Sequence, residues 1–498
     1  MTTTNSATGS ISSAGIGSGL DVKGIISSLM AVEAQPLTLL QDKATTVSTE
    51  ISAVGQIQSL TSALGDKAQA LSSLSLWTQT TATSADASAV AADTSTGTAA
   101  AGDYSVSVQQ LAQGQTVTSG ALSSSSGTFS AGTLTIQLGT YTTVAGTPPT
   151  TTFANKSGVS AISVTIGSGD TSLASVRDKI NAAKAGVSAS IITDATGSRL
   201  SLRSTDTGAE NGFQISATEA VDDGNAATGL SALSYDGTGA GASQLTLNQS
   251  SQNAKASVNG IAVESASNKL SNISDGLTLN LLKVSTTPVD VTVAADTAAM
   301  QKAITDFVTA YSALNANILS ATKYDTSSAV KPGTSRKDGP LEGDPSILGF
   351  QNQLRAIVNT TSTTSTLYAR LSDIGITVQT DGSLATNATK LTAALANPLE
   401  LQKLFATQGS TAATTGIAVR FSNLSDAALA PDGSLASRND GLKGELSRNS
   451  KQQDDMQTHL DATQARLTAQ YQALDTTMSK MNALSSYVTQ QVALMQKA

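Results

Sequence analysis

The side chains able to do chemistry are few and poorly spaced for it. The 498 residues contain one histidine, His459, and no cysteine. A single imidazole with no second histidine at metal spacing supports neither a zinc site nor, from the middle of a long helical pattern, a Ser–His–Asp relay. The lack of thiols removes disulfides, thiolate zinc sites and cysteine nucleophiles. The acidic pairs Asp222-Asp223 and Asp454-Asp455 lack the alternating oxygen-ligand spacing of a calcium loop, so solvated charge is their expected role. Gly15-Ile16-Gly17-Ser18-Gly19-Leu20-Asp21 invites a phosphate-loop reading. It fails, because a leucine stands where the third glycine of a dinucleotide fingerprint belongs and no strand precedes it. No catalytic residue, metal or cofactor is expected, and the chain reads as an assembly part rather than an enzyme.

The elements that could position partners are more informative. From about Gly441 to Ala498 an apolar series repeats every seven residues: Leu460, Leu467, Leu474, Met481, Val488 and Met495. Tyr471, Met478 and Val492 sit four residues after members of that series. Such alternation is a seam down one side of a long helix, suited to a coiled-coil partner. Gln453, Gln464 and Ser485 fall on the seam and weaken it. Near the other terminus, Leu40, Val47 and Val54 are seven apart with Ile51 between them, and Ile57, Leu64 and Leu71 continue in a second series. The hop near residue 55 has the form of a heptad discontinuity. The helix of residues 37–77 is therefore the expected antiparallel partner of the helix of residues 441–498. Residues 1–36 read as a flexible terminal segment with a short helix capped by Asp21.

Between these ends the period changes to two. Strands are expected at 104–108, 133–138, 162–166, 187–192, 200–203, 213–216, 256–263, 277–284 and 289–293, with one helix at 172–185. Residues 222–243 read as a long loop or tip. Residues 78–122 and 247–299 form an inner β-rich domain, with 123–246 inserted as an outer one. Helices return over 300–440 as a collar containing a small hairpin at Asp381-Gly382. The expected fold is a multidomain α+β chain: a long antiparallel coiled-coil stalk from both termini, a helical collar and two β-rich head domains.

Composition sets the classes of partner. Ser, Thr, Ala and Gly dominate, charged residues are 13%, and the net charge is −8. An acidic chain without a Lys/Arg-rich run suits neither nucleic acid nor an anionic membrane surface. No apolar run approaches a membrane span, and residues 1–13 lack the features of a cleaved signal peptide.

Several stretches resemble one family in order and spacing. They are Gly15 to Asp21 with Ala34-Gln35-Pro36, then Thr171 to Asn181 followed by Val187 to Ile191, which is similar to the "IN" motif of flagellar axial proteins. Val258-Asn259-Gly260-Ile261, Asp275-Gly276-Leu277, Phe307 to Tyr311 and Ile374 to Leu384 follow, and Gln470 to Asn482 closes the series. Along nearly its whole length the chain resembles the bacterial flagellar filament-capping proteins, or hook-associated protein 2 family. The resemblance implies export through the flagellar type III apparatus to the distal filament tip. It implies a ring-shaped homo-oligomer, a pentamer, acting on flagellin, with hook–filament junction proteins as neighbours and an export chaperone on the C-terminal helix. Two readings stay open beside it. One is another axial or junction protein of the flagellum, and the other is a tip adhesin that binds host mucin or cell-surface ligands through residues 123–246.

Overall fold

The computed structural model describes residues 21–94, 99–126, 128–146, 149–237, 243–325 and 338–496. The glycine-rich run of residues 15–20 lies outside them. Two compact units divide the chain: residues 1–74 with 298–498, and residues 75–297.

The first unit begins with α1 (Val22–Glu33), whose cap Asp21 accepts the Gly24 N–H at 2.8 Å. After a break at Ala34 the chain continues as α2 (Gln35–Ser72), with Pro36 in its first turn. Proline has no N–H to give the preceding turn, which accounts for the break. Beyond α3 (Leu74–Thr78), the unit resumes with α5 (Thr297–Ala321) and α6 (Pro345–Asn359), the β17 (Ile376–Val378) and β18 (Leu384–Thr386) hairpin, and α7 (Ala388–Leu395), α8 (Pro398–Ala406) and α9 (Ile417–Leu429). It ends in α10 (Ser434–Met495), 62 residues long, roughly 90 Å at 1.5 Å per residue. Phe421 of α9 meets Phe307 and Tyr311 of α5 edge-on, at centroid distances of 5.1 and 5.8 Å.

α10 starts at Ser434, earlier than the expected 441, so Gly441 and Gly444 lie inside it. Each glycine costs a helix roughly 1 kcal/mol. Leu435 and Leu442, both fully buried, carry the helix through them.

The second unit holds two cores. The inner one lies between a five-stranded antiparallel sheet and a three-stranded one. The larger has the order β1 (Thr80–Ser84), β16 (Val289–Ala295), β3 (Gly102–Gln110), β12 (Ala254–Val258), β13 (Ile261–Ser265). The smaller joins β14 (Lys269–Ser274), β15 (Leu277–Leu281) and β2 (Val90–Asp93). The outer core lies between two four-stranded sheets and α4 (Leu173–Ala183). In one, β5 (Gly132–Val144) pairs with β10 (Gly212–Glu219), β6 (Thr150–Asn155) and β7 (Ile162–Ile166). The other runs β11 (Thr246–Gln249), β4 (Thr116–Thr118), β9 (Gly197–Ser204), β8 (Val187–Asp194). The change of core falls between Ala112 and Val117 outward, and between Leu245 and Ala254 on the return.

Two expectations are corrected here. Residues 256–263 are not one strand: Asn259 and Gly260 both take positive φ (49° and 80°) and turn the chain between β12 and β13. An Asn-Gly pair in that conformation is a type I′ hairpin turn. The run 222–243 is not simply a tip, because Leu230, Leu233 and Tyr235 are buried in the outer core.

Candidate assembly surface

The seam residues divide by position along α10. Antiparallel pairing with α2 is defined by four ties. Asn439 Nδ2 donates to Gln58 Oε1 at 2.9 Å, and Arg438 reaches Glu50 at 3.3 Å. Lys43 meets Glu445 at 2.9 Å, and Gln453 Nε2 donates to the Leu40 carbonyl at 3.4 Å. As α2 runs back from 58 to 40, α10 runs forward from 439 to 453. Beyond that, Val22, Ile26 and Met30 of α1 flank a groove beside Gln464, Thr468 and Gln472.

Every third or fourth residue of α10 turns inward in one unbroken alternation: Leu435, Asn439, Leu442, Leu446, Asn449, Gln453, Met456, Leu460, Thr463 and Leu467. All are buried or half-buried. Leu460 and Leu467 therefore lie on the covered face, but their companion row is Met456 and Thr463, each four residues before them, and Gln464 is exposed. After Leu467 the half-buried positions are Thr468, Tyr471, Asp475, Met478 and Ser479. From there on the apolar stripe is uncovered. Leu474, Met481, Val488, Val492 and Met495 are 46–73% exposed, and no described element packs on them.

On α2 the inward alternation is Leu40, Ala44, Val47, Ile51, Val54, Gln58 and Thr61. Ile57, Leu64 and Leu71 are fully buried on a second row. The later part of α2 packs against α9, where a Cβ added to Gly65 would come within 3.0 Å of the Ser425 Cβ. The hop near residue 55 thus marks a change of neighbour along one helix, from α10 to the collar.

A joint of charges holds α10 where it leaves α9. Arg438 bonds both Asp344 and Glu50, and Asp344 also caps α6 by accepting the Ser346 and Ile347 N–H groups. Burial pushes the Glu50 carboxyl above its ordinary value, and the neighbouring Glu445 and Asp344 carboxylates add to this against the Arg438 charge. A second clamp orders the hydroxyl-rich run after α6. Glu400 takes the Lys403 ammonium, the Ser365 hydroxyl and the Thr366 N–H, which lowers its carboxyl to about 2. Residues 360–366, a run of Ser and Thr, are tied down in this way, and the Thr363 N–H donates to the Ala413 carbonyl as well.

The residues that first suggested chemistry are occupied otherwise. His459 is exposed on α10, beside a groove flanked by Pro36 and Leu39. Glu219, Asp222 and Asp223 bring carboxylates within 4.8 Å of one another. Each already accepts a bond, from Ser231 N–H, Gly224 N–H, and Asn225 N–H with the Thr228 hydroxyl respectively. No described helix is long and apolar enough to cross a membrane. The Asn of the Thr171–Asn181 motif has a visible role: Asn181 brackets Ala189, donating to its carbonyl at 2.9 Å and accepting its N–H at 2.7 Å. That pair of hydrogen bonds fastens α4 to β8, while Leu173, Val176 and Ile180 fill the core beneath.

Comparison with known proteins agrees with this layout. Family models match at residues 18–115 (flagellar hook-associated protein 2 N-terminus), 251–483 (flagellar hook-associated protein 2 C-terminus) and 152–206 (flagellin hook IN motif). Flagellar hook-associated protein 2 of Escherichia coli strain K12 is 34% identical over 485 residues, covering 97% of this chain and 98% of that protein. The protein of the same name from Salmonella typhimurium is 33% identical over 341 residues, covering 68% and 70%. The crystal structure of the D1-D2-D3 domains of the Escherichia coli flagellar cap protein FliD superposes with a TM-score of 0.57 at 32% identity, over 78% of this chain and 99% of that one. With matching models at both ends and a relative of this identity along its whole length, the chain belongs to the flagellar hook-associated protein 2 family.

Proposed function

We propose that this chain caps the distal end of the bacterial flagellar filament, retaining exported flagellin and promoting its folding and insertion at the tip. The observation that carries the reading is the end-to-end match to flagellar hook-associated protein 2, whose solved relative from Escherichia coli is a flagellar cap protein. The described residues fit a structural role, since their carboxylates and single imidazole are spent on caps, turns and solvated faces.

The finer reading follows from the helices. α2 and α10 form a coiled-coil leg, and residues 78–299 make the plate of a homo-oligomeric ring, a pentamer. The apolar stripe from Leu474 to Met495 is the partner-binding surface, open to an export chaperone before secretion and to the filament or junction proteins afterwards. The exposure of that stripe supports this. Secretion proceeds by the flagellar type III route.

The test is a deletion strain. Without the gene, flagellin should escape into the medium as monomer, and the wild-type gene should restore filaments. Filaments of normal length in the deletion strain would refute the reading. Ring images of the purified protein, with subunits counted, check the pentamer.

A further inference from the structure

The seam between α2 and α10 contains an amide that does not fit it. Asn449 is 2% exposed and stands on the row of Leu435, Leu442 and Met456. Its Oδ1 accepts Gln453 Nε2 at 2.6 Å, whereas its Nδ2 has no partner. Gln453 spends its other contact on the Leu40 carbonyl, at a long 3.4 Å. A buried donor without an acceptor forfeits its bond to water, and that loss is recovered whenever water returns.

What lies on either side of Asn449 differs. Toward the start of α10 stand the fully buried Leu435 and Leu442, the Arg438 joint to Asp344 and Glu50, the Asn439–Gln58 bond and the Lys43–Glu445 pair. Contacts to α6 and α9 add to these. Toward its end, α10 lies against the first turns of α2 and then α1, with Met456, Leu460, Thr463 and Leu467 buried or half-buried. Asn439 Oδ1 also lacks a partner, but it lies among the ties at the start of α10 and its own Nδ2 is bonded to Gln58. Asn449 has no bond to another described helix and stands where the ties spanning several elements stop.

We infer that Asn449, together with Gln453, is a built-in opening point: outward of it α10 separates from α1 and the start of α2 as one segment, while residues 434–446 stay anchored. Opening hydrates the stranded Nδ2 and frees Gln453. The apolar Leu460 and Leu467 oppose it, so the closed form dominates and the open one is a minor state. Helix protection in water comes mainly from tertiary packing, so separation exposes the amides of both partners to exchange. The inference concerns the pairing of the terminal helices and does not depend on the capping role.

Hydrogen–deuterium exchange on the full chain tests it. Peptides from 453–472 and from 22–44 should exchange faster than those from 434–446, and at a common rate that marks one cooperative segment. Asn449→Leu, which fills the position with an apolar side chain, should slow exchange of the outer peptides about 5–30-fold. The anchored peptides should not change. Asn449→Met, unbranched and adaptable, serves if the leucine overpacks the seam. Equal exchange on both sides of residue 449 in the parent overturns the inference. So does an unchanged or faster outer segment in both variants.

Discussion

The two ends of α10 reverse the usual relation between apolar content and burial. From Leu435 to Leu467 the helix is covered, yet four of its ten inward positions are polar: Asn439, Asn449, Gln453 and Thr463. From Leu474 to Met495 the stripe is built of Leu, Met and Val and is exposed. Where the chain meets itself, polar ties choose the partner and the alignment, at some cost in stability. Where it meets no described element, it keeps the apolar surface that a separate partner would bury. The difference teaches that apolar content and burial are separated along one helix: the intrachain pairing is rich in polar ties, and the apolar stripe is left exposed, as the proposed partner-binding role requires.

Charge on the covered side should break the comparison hardest. Leu442→Asp loses at least the 2–5 kcal/mol of a leucine truncation and adds a buried charge, about 4 kcal/mol or more together. Thermal unfolding followed by circular dichroism should show the helical unit melting early, with the β-rich unit unaffected. Leu467→Asp, on a half-covered position, should fall between the two ends and disable capping with the β-rich unit still folded.

On the uncovered side the same change should leave stability alone. Val488→Asp and Met481→Asp should unfold within about 0.5 kcal/mol of the parent, yet fail to restore swimming in a deletion strain. A large loss of stability would mean that the stripe is covered within the chain, and full motility would mean that no partner uses it.

Two pH experiments sharpen the picture with smaller effects and opposite signs. Glu400 has its folded carboxyl depressed to about 2, so its contribution is full above the unfolded value near 4.5 and is lost as pH falls toward 2. The parent should exceed Glu400→Gln in stability at pH 7, and the gap should close across that acidic window. Glu50 is shifted upward, so its contribution is greatest below the unfolded value and falls as pH rises through the folded one. Glu50→Gln should therefore be the more stable protein at pH 7, with the advantage disappearing on acidification. Denaturant midpoints measured from pH 2 to 8 read both.

Much of this was legible in the residues, and the misses have physical causes. Leu460 and Leu467 stood out because leucines seven apart are rare outside seams. Of the positions placed beside them, Gln453, Tyr471 and Met478 are half-buried and Gln464 is exposed; Asn449 and Thr463 were passed over because an amide and a hydroxyl do not look buried in a sequence. The second series in α2 was visible, but its meaning was not, since a heptad count cannot say that Ile57, Leu64 and Leu71 turn toward a helix more than 300 residues away. The start of α10 was placed late because Gly441 and Gly444 carry a helix penalty that Leu435 and Leu442 outweigh only in three dimensions. The Asn259-Gly260 turn was a missed local signal rather than a hidden one. Asn181 had the opposite fate: its motif was plain, and only the paired bonds to Ala189 explain why an asparagine stands there.

The unbroken seven-residue step from Leu460 and Leu467 to Leu474, Met481, Val488 and Met495 has a geometric consequence. A constant step of seven keeps a row on one side of a supercoiled helix, so the open stripe prolongs the side of α10 that α1 covers. A helix laid along residues 474–495 would abut the start of α1 end to end, extending its row rather than displacing it.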